Sequence, residues 1–240
     1  MSRYFQVLER AGRDREFLPA IISRSSRPSE ESLTDEAVSQ LVQRLFHLPG
    51  QQDAPRAVLF CSVEEGGGSR RICARAGQTL AGFRESSVCL VDANLHSPRL
   101  HTLFGINDRR GLVDALFEAG SVCDFAQATS TRNLWLVPSG SIVPGARAQL
   151  TTEALQRCLS DLRARFRYLL FDAPAAGSSA DAVVVGKQVD GVVLVVAANT
   201  TRRQTTRQVK ADLDAAGVRL LGAVLENRAF PIPQRIYRWL

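Results

Sequence analysis

A glycine-rich loop between a strand pattern and a helix pattern constrains this chain more than any other stretch. An apolar run at residues 57–61 leads into three consecutive glycines at 66–68, and a helix-compatible segment follows at 72–80. That order is typical of loops that hold phosphate through their backbone N–H groups. The phosphate-loop pattern then requires a lysine followed by a hydroxyl residue, but this chain has Ser69 and Arg70 at those places. The loop scaffold is therefore present without its usual side-chain chemistry.

Strand and helix patterns alternate after this loop and indicate the fold class. An amphipathic helix is predicted at 34–46, and the last strand is predicted at 219–225. Several strand patterns, including 88–91 and 192–196, are apolar without alternation, which is typical of a parallel sheet with helices on both faces. We therefore predict a doubly wound α/β fold with a mostly parallel sheet, formed by a single domain over residues 32–240.

The N-terminal residues predict a tail before this domain, and the net charge indicates which classes of partner would suit it. Residues 1–31 are polar and rich in Arg, Ser and Glu, so we predict a flexible N-terminal tail. The net charge of +6 comes almost entirely from arginine, since Lys187 and Lys210 are the only lysines. A GC-rich genome would give the preference for arginine without any function, and we put this explanation first. An anionic membrane surface, nucleic acid or an acidic partner would each suit the surplus of positive charge equally well.

Cysteine usage and hydropathy predict the compartment. The five cysteines are odd in number and form no C-x-x-C pair, and Cys61 and Cys89 lie inside apolar strand patterns. Such cysteines behave as small apolar residues, which indicates a reducing compartment. The sequence has no signal-peptide core and no apolar run of the roughly 18 to 20 residues that a membrane-spanning helix needs. We predict a cytoplasmic protein that is peripheral at the inner face of the cell membrane, with indirect membrane contact.

Three of the predicted strands end in polar stretches. The first leads into the glycine loop, and two others end at an acidic residue. Asp92 follows the apolar run at 88–91, and Asp172 follows the run at 168–171. An aspartate at a strand end usually caps a loop, so either one alone is weak support for a site. Ligands of doubly wound sheets bind beyond the carboxyl ends of the strands. Three polar strand ends in this order therefore predict a site there.

Hydroxyl and imidazole side chains elsewhere have structural explanations. Ser178 and Ser179 are predicted to cap the helix from Ala180 rather than to act as nucleophiles, because no histidine partner is apparent. The histidines are too far apart in the chain to form a local ligand motif, and we assign them structural or surface roles. They are His47, His96 and His101.

Five motifs in a fixed order follow the glycine loop. They are VCLVDANLHSPR at 88–99, GLVDAL at 111–116, NLWLVPSG at 133–140, YLLFDAP at 168–174 and VDGVVLVV at 189–196. From about residue 33 onward, the chain thereby resembles the cytoplasmic tyrosine kinases of bacterial capsule and exopolysaccharide synthesis, relatives of the MinD/ParA P-loop ATPases. The resemblance implies a P-loop NTPase-like fold and, in active relatives, autophosphorylation of a C-terminal tyrosine cluster. Here Tyr237 stands alone near the end.

The resemblance also assigns roles to individual residues. Family members carry the phosphate-binding lysine at the position of Ser69 and the magnesium-binding hydroxyl at the position of Arg70. Asp92 and Asp172 match the two carboxylates that the family uses around magnesium, so we interpret them as vestigial catalytic residues and as the metal ligands if magnesium binds. The degenerate nucleotide-binding loop consists of Gly66, Gly67, Gly68, Ser69, Arg70 and Arg71.

The two replaced positions weaken nucleotide chemistry. A charge-assisted hydrogen bond from the missing lysine is worth about 1.5 to 3 kcal/mol. Arg70 would also repel magnesium by about 4 kcal/mol per unit of charge at a separation of ~4 Å and an effective dielectric constant of about 20. We therefore expect no cofactor, with ATP and magnesium binding weak or absent. Two arrangements stay open: Arg70 or Arg71 binds a phosphate without metal, or the arginines pair with Asp92 or Asp172, which we favour.

These arguments leave three functional hypotheses. The first is a catalytically degenerate tyrosine-kinase-like protein that acts as a regulatory or scaffold component of exopolysaccharide or capsule biosynthesis. The resemblance implies that its partner is the membrane protein that regulates polysaccharide chain length, or the cytoplasmic segment of that protein, together with further copies of the chain and no nucleic acid. The second is a residual ATP-dependent protein tyrosine autokinase or ATPase of the same pathway. The third is a MinD/ParA-like surface-partitioning protein.

Overall fold

Helices and strands alternate through the part of the chain that the structure describes. The computed structural model describes residues 35–47, 54–84, 86–107, 109–117, 120–141 and 151–226. The tail predicted at 1–31 and Tyr237 lie outside these residues. The helices are α1 (Asp35–Phe46), α2 (Ser69–Ala81), α3 (Leu100–Leu103), α4 (Leu112–Phe117), α5 (Thr152–Arg165), α6 (Asp181–Gly186) and α7 (Arg203–Ala215). The strands are β1 (Ala57–Ser62), β2 (Val88–Asp92), β3 (Gln127–Ala128), β4 (Leu134–Val137), β5 (Tyr168–Asp172), β6 (Gly191–Ala197) and β7 (Leu220–Glu226).

The strands form one sheet in the order β3-β4-β2-β5-β1-β6-β7. Neighbouring strands are parallel except β3 and β4, which pair antiparallel. Because β5 lies between β1 and β2, the chain crosses over the sheet between strands, and the crossovers contain helices. The predicted doubly wound, mostly parallel α/β fold is confirmed.

The apolar strand runs are buried because each strand contributes to two cores. Val58 and Phe60 of β1 belong to a core that includes buried residues of α1 and α2. Leu59 and Cys61 belong to a second core, which includes buried residues of α5, α6 and α7. Helices thus cover both faces of the sheet, and polar residues have no exposed face on which to alternate. No helix in the described segments is long and apolar enough to cross a membrane.

Two short elements are absent from the sequence prediction. A 3₁₀ turn spans Val122–Phe125, and β3 contains only Gln127–Ala128. β3 pairs with β4 at the edge of the sheet. A strand of two residues is too short to show a period of two in the sequence, so only the fold reveals it.

Candidate functional site

The predicted site residues meet beyond the carboxyl ends of three neighbouring strands. β1 leads into the glycine loop, and its neighbour β5 ends at Asp172. β2 ends at Asp92, which lies beside Asp172 in the register of the parallel pair. Both aspartates have an exposed fraction of 0%. The structure therefore places the glycine loop and both carboxylates together at the carboxyl ends of the inner strands.

The glycine loop uses some of its own backbone N–H groups internally. Gly66 has a φ of +79°, a left-handed conformation that glycine adopts without strain. The Gly67 N–H donates to the Glu64 carbonyl at 3.4 Å, and the Ser69 N–H donates to the Ser62 hydroxyl at 3.3 Å. Two donors that a phosphate-binding loop would present to its ligand therefore have partners inside the chain.

Arg70 places its guanidinium group beside the Asp172 carboxylate. Its Nε lies 3.3 Å from Oδ2 of Asp172, and its Nη2 donates to the Ser97 carbonyl at 2.6 Å. The Ser69 hydroxyl donates to the other carboxylate oxygen, Oδ1, at 3.3 Å. Nε and Oδ2 are close but not aligned as a hydrogen bond, so the contact is an ion pair. The sequence left open whether Arg70 binds a phosphate or pairs with an aspartate, and the structure shows the favoured pairing with Asp172.

Asp92 holds the backbone of the segment that follows β2. Its Oδ1 accepts the Asn94 N–H at 3.2 Å. Its Oδ2 accepts two N–H groups at the start of α3, from Arg99 at 3.1 Å and from Leu100 at 3.0 Å. Both carboxylate oxygens are used within the fold. Asp92 therefore has the capping role that is usual for an aspartate at a strand end.

A third acidic residue, Glu226, reaches the loop and is missing from the predicted site. It ends the edge strand β7 and is 5% exposed. Its Oε2 accepts the Gly68 N–H at 2.6 Å, and its Oε1 lies 2.8 Å from Nη2 of Arg71. Arg71 therefore has a different partner from the aspartates expected from the sequence. A signal was present, because Glu226 follows the apolar run at 220–225 as the other strand-end acids follow theirs.

Ser179 has a histidine partner that the sequence does not reveal. Nε2 of His96 lies 3.3 Å from Oγ of Ser179 and 3.4 Å from Oδ2 of Asp181. One ring nitrogen thus faces both groups, whereas a catalytic triad needs the hydroxyl and the carboxylate on opposite ring nitrogens. The Ser179 hydroxyl also accepts the Asp181 N–H at 3.1 Å, at the start of α6. We assign this cluster a structural role that joins the loop after β2 to α6.

The described residues do not fit a magnesium–nucleotide complex. Arg70 already supplies a cation next to Asp172, and a metal ion on the same carboxylate would be repelled by about 4 kcal/mol per unit of its charge at ~4 Å and an effective dielectric constant of about 20. Asp92 has both oxygens engaged by backbone N–H groups, and the Gly68 N–H is engaged by Glu226. Within the described ranges, no three His, Cys, Asp or Glu side chains are grouped to hold a metal ion.

Burial raises the pKa of both strand-end aspartates. The pKa of Asp172 is raised to about 7, first by burial and then by the charge of Asp92. The neighbouring Arg70 lowers that pKa only in part. The pKa of Asp92 is raised to about 6 by burial, although the Leu100 N–H lowers it. A negative charge at this site is therefore unfavourable near neutral pH, which explains why the fold holds a cation beside it.

We expect Asp172→Asn to reduce the dependence of stability on pH. The Asp172 carboxyl has an ordinary pKa of 3.8 and a folded-state pKa of about 7, so stability falls as the pH rises between these values. At about pH 8 the amide removes the cost of the buried charge, and the free energy of unfolding should rise by on the order of 2 kcal/mol. Urea unfolding of parent and variant at about pH 5 and pH 8 measures this. A loss of stability at the higher pH would show that the ion pair outweighs burial.

The chain matches the model of one protein family over most of its length. The model of the family described as cellulose biosynthesis protein BcsQ matches residues 57–215, which is more than half of the chain. The chain belongs to the BcsQ family. The matched stretch begins at β1 and includes the glycine loop and both strand-end aspartates.

Curated relatives of this BcsQ-family chain are bacterial tyrosine-protein kinases. Tyrosine-protein kinase YwqD of Bacillus subtilis is 27% identical over 173 residues, which cover 72% of this chain and 73% of the relative. Tyrosine-protein kinase wzc of Salmonella typhi is 26% identical over 198 residues, which cover 81% of this chain and 27% of the relative. The chain thus spans only a minor part of the wzc kinase. The resemblance to bacterial tyrosine kinases is confirmed.

Solved structures show the same fold. The crystal structure of the chimerical protein CapA2B2 superposes with a TM-score of 0.79 at 22% identity, covering 92% of this chain and 96% of that one. The cell division ATPase MinD of Pyrococcus furiosus superposes with a TM-score of 0.57 at 25% identity, covering 72% and 74% of the two chains. This BcsQ-family chain therefore has a P-loop NTPase-like α/β fold.

Proposed function

We propose that this protein is a catalytically degenerate, tyrosine-kinase-like member of the BcsQ family that acts as a regulatory or scaffold component of exopolysaccharide or capsule biosynthesis. Its relatives include tyrosine-protein kinases, and its family is described by cellulose biosynthesis. In this proposal the chain retains the kinase fold without nucleotide turnover. It acts in the cytoplasm, peripheral at the inner face of the cell membrane.

The observation that carries the proposal is the Arg70 guanidinium beside the buried Asp172 carboxylate. Phosphoryl transfer in phosphate loops depends on positioning and on charge neutralisation by a lysine and a metal ion. Here Ser69 replaces the lysine and donates to Asp172, while Arg70 supplies the cation from within the chain. Without a lysine for the phosphates and with a cation already on the carboxylate, the loop has no means of stabilising the transferred group.

A protein without turnover contributes through its binding surfaces. We propose as partner the membrane protein that regulates polysaccharide chain length, or its cytoplasmic segment, with further copies of the chain as a second partner. The support is that the altered chemistry is local to the loop, whereas the fold matches the CapA2B2 chimera over 92% of the chain. Membrane contact would then pass through the partner.

The biochemical test measures ATP binding by the full chain with and without magnesium, and phosphate transfer to tyrosine. The YwqD kinase serves as the positive control. We expect no saturable binding at micromolar concentration and no phosphorylation of Tyr237. Micromolar binding of magnesium–ATP or phosphorylated Tyr237 would contradict the proposal and favour the residual kinase, provided that Asp92→Ala and Asp172→Ala abolish the turnover.

The cellular test asks whether the function needs catalysis. A strain without the gene should recover its polysaccharide output equally well with the parent chain and with Asp172→Asn. This variant removes the carboxylate that a magnesium-dependent reaction would require, while its fold is expected to be retained. Recovery by the parent alone would favour an enzyme, and recovery by neither would show that the chain acts in another process.

A further inference from the structure

The Glu226 side chain, at the end of β7, reaches the glycine loop and contacts a backbone N–H and a guanidinium group there. Its Oε2 accepts the Gly68 N–H at 2.6 Å, and its Oε1 lies 2.8 Å from Nη2 of Arg71. The Glu226 side chain is 5% exposed, whereas the Arg71 side chain is 53% exposed. The contact joins residues that are 158 positions apart, so it depends on the folded sheet rather than on the loop alone.

The partners of this carboxylate are those that a phosphate group receives in a glycine loop. Gly68 is the N-cap of α2, whose positive dipole end favours negative charge. α2 has no acidic residue in its first turn and no side-chain cap. Glu226 therefore supplies from a distant strand the negative charge that the helix itself does not carry. The loop N–H, the helix N-terminus and a guanidinium together form an anion site, and a carboxylate of the chain fills it.

The Glu226 carboxylate also fills the space at this point of the loop. A Cβ atom added at Gly68 would lie 2.1 Å from both of its oxygens. A phosphate oxygen that accepted the Gly68 N–H would need the same volume, because hydrogen-bonded N and O atoms lie about 2.7 to 3.2 Å apart. Glu226 and a phosphate therefore compete for one backbone donor, and their like charges repel.

We infer that Glu226 is the internal anion of the glycine loop and the specificity-determining residue that excludes phosphate-bearing ligands, such as pyrophosphate and nucleoside di- and triphosphates. The inference deepens the proposed function and rests on it, since both concern the loss of nucleotide chemistry at one loop. The causes differ, however: the proposed function depends on the cation at Asp172, and the exclusion of phosphate depends on the anion at Gly68. Release of Glu226 would leave the Gly68 N–H and Arg71 available to an anion without a metal ion.

The test titrates inorganic pyrophosphate into the full chain and into Glu226→Gln by calorimetry, in EDTA without magnesium. Glutamine keeps the size of the side chain, removes its charge and releases Arg71 from the ion pair. We expect pyrophosphate to bind at least about tenfold more tightly to the variant, because the charge-assisted contact of Arg71 becomes available. Glu65→Gln is the matched control. It removes the same charge from the exposed side of the same loop, where Glu65 accepts the Ser178 hydroxyl, and should change the affinity by about twofold at most.

Two results would overturn the inference. One is an equal affinity of the parent and Glu226→Gln for pyrophosphate, and the other is an equal gain in Glu65→Gln. Neither result affects the proposed function, which is decided by the turnover of the parent with magnesium–ATP. If Glu226→Gln does not fold, hydrogen exchange of the Gly68 amide in the parent gives a second measurement. We expect this amide to be protected, and exchange at the rate of an unstructured peptide would overturn the inference.

Discussion

The triple variant Ser69→Lys/Arg70→Ser/Glu226→Gln is expected to bind magnesium–ATP at least about a hundredfold more tightly than the parent chain. The new lysine supplies a charge-assisted contact worth about 1.5 to 3 kcal/mol. Loss of the Arg70 guanidinium removes a repulsion of about 4 kcal/mol per unit of charge from a metal ion at ~4 Å. Loss of the Glu226 charge removes the repulsion that a phosphate would meet at the Gly68 N–H. The three changes act on three separate obstacles, and all three lie in one loop.

Calorimetric titration of ATP, with and without magnesium, measures this gain. The double variant Ser69→Lys/Arg70→Ser is the matched control, because it restores the phosphate-loop residues and leaves Glu226 on the loop. We expect the double variant to gain less than the triple variant. A triple variant that melts cooperatively and still binds ATP no better than the parent would show that more of the pocket has been lost than the loop.

Asp92→Ala is expected to destabilise the protein by about 3 kcal/mol, although Asp92 resembles a metal ligand in the sequence. The substitution removes the acceptor of three backbone N–H groups, from Asn94, Arg99 and Leu100. The Leu100 N–H is buried, and a buried donor without a partner costs about 1 to 3 kcal/mol. The two other donors are partly buried and regain some hydrogen bonding from water. Urea unfolding at about pH 7 measures the change in the free energy of unfolding.

Two other variants test whether the effect of Asp92→Ala comes from the lost backbone hydrogen bonds. Asp92→Asn keeps one acceptor oxygen and should fall between the parent and Asp92→Ala. Asp172→Asn should change the stability in the opposite direction above the raised pKa of about 7, because Asp172 is costly when charged and holds no backbone segment. If Asp92→Ala is as stable as the parent, Asp92 has no structural role as a cap. That result would favour the role of metal ligand that the sequence resemblance implies.

The fold could be predicted because its signals are local in the chain. The unbroken apolar runs of β2, β5 and β6 report burial on both faces, and each run ends at a turn that the sequence also shows. The meeting of Asp92 and Asp172 was predictable for the same reason, since parallel strands bring their carboxyl ends to one edge. The edge strand β3 was not predictable, because two residues carry no period.

The partners of the charged side chains could not be predicted, because they depend on the three-dimensional arrangement of distant segments. Arg70 and Arg71 are adjacent in sequence and successive positions on a helix face different directions, so each meets a different strand end. Arg71 and Glu226 are 155 positions apart, and His96 and Ser179 are 83 positions apart. The sequence shows which residues are charged, but it does not show which of several carboxylates each arginine contacts.

The two ion pairs of the loop, Arg70 with Asp172 and Arg71 with Glu226, also bear on how such a loop evolves. Arg70→Ser alone would leave the buried Asp172 carboxylate unpaired, and Ser69→Lys alone would add an unmatched cation. Loss of the cation that pairs with a buried carboxylate costs about 3 to 5 kcal/mol, a large share of the roughly 5 to 15 kcal/mol that stabilises a domain. Under the proposed function, a return towards an ATP-binding loop through Arg70→Ser alone would therefore lose stability before any nucleotide binding returned. In that case the internal charge balance would make the loss of nucleotide binding hard to reverse one substitution at a time.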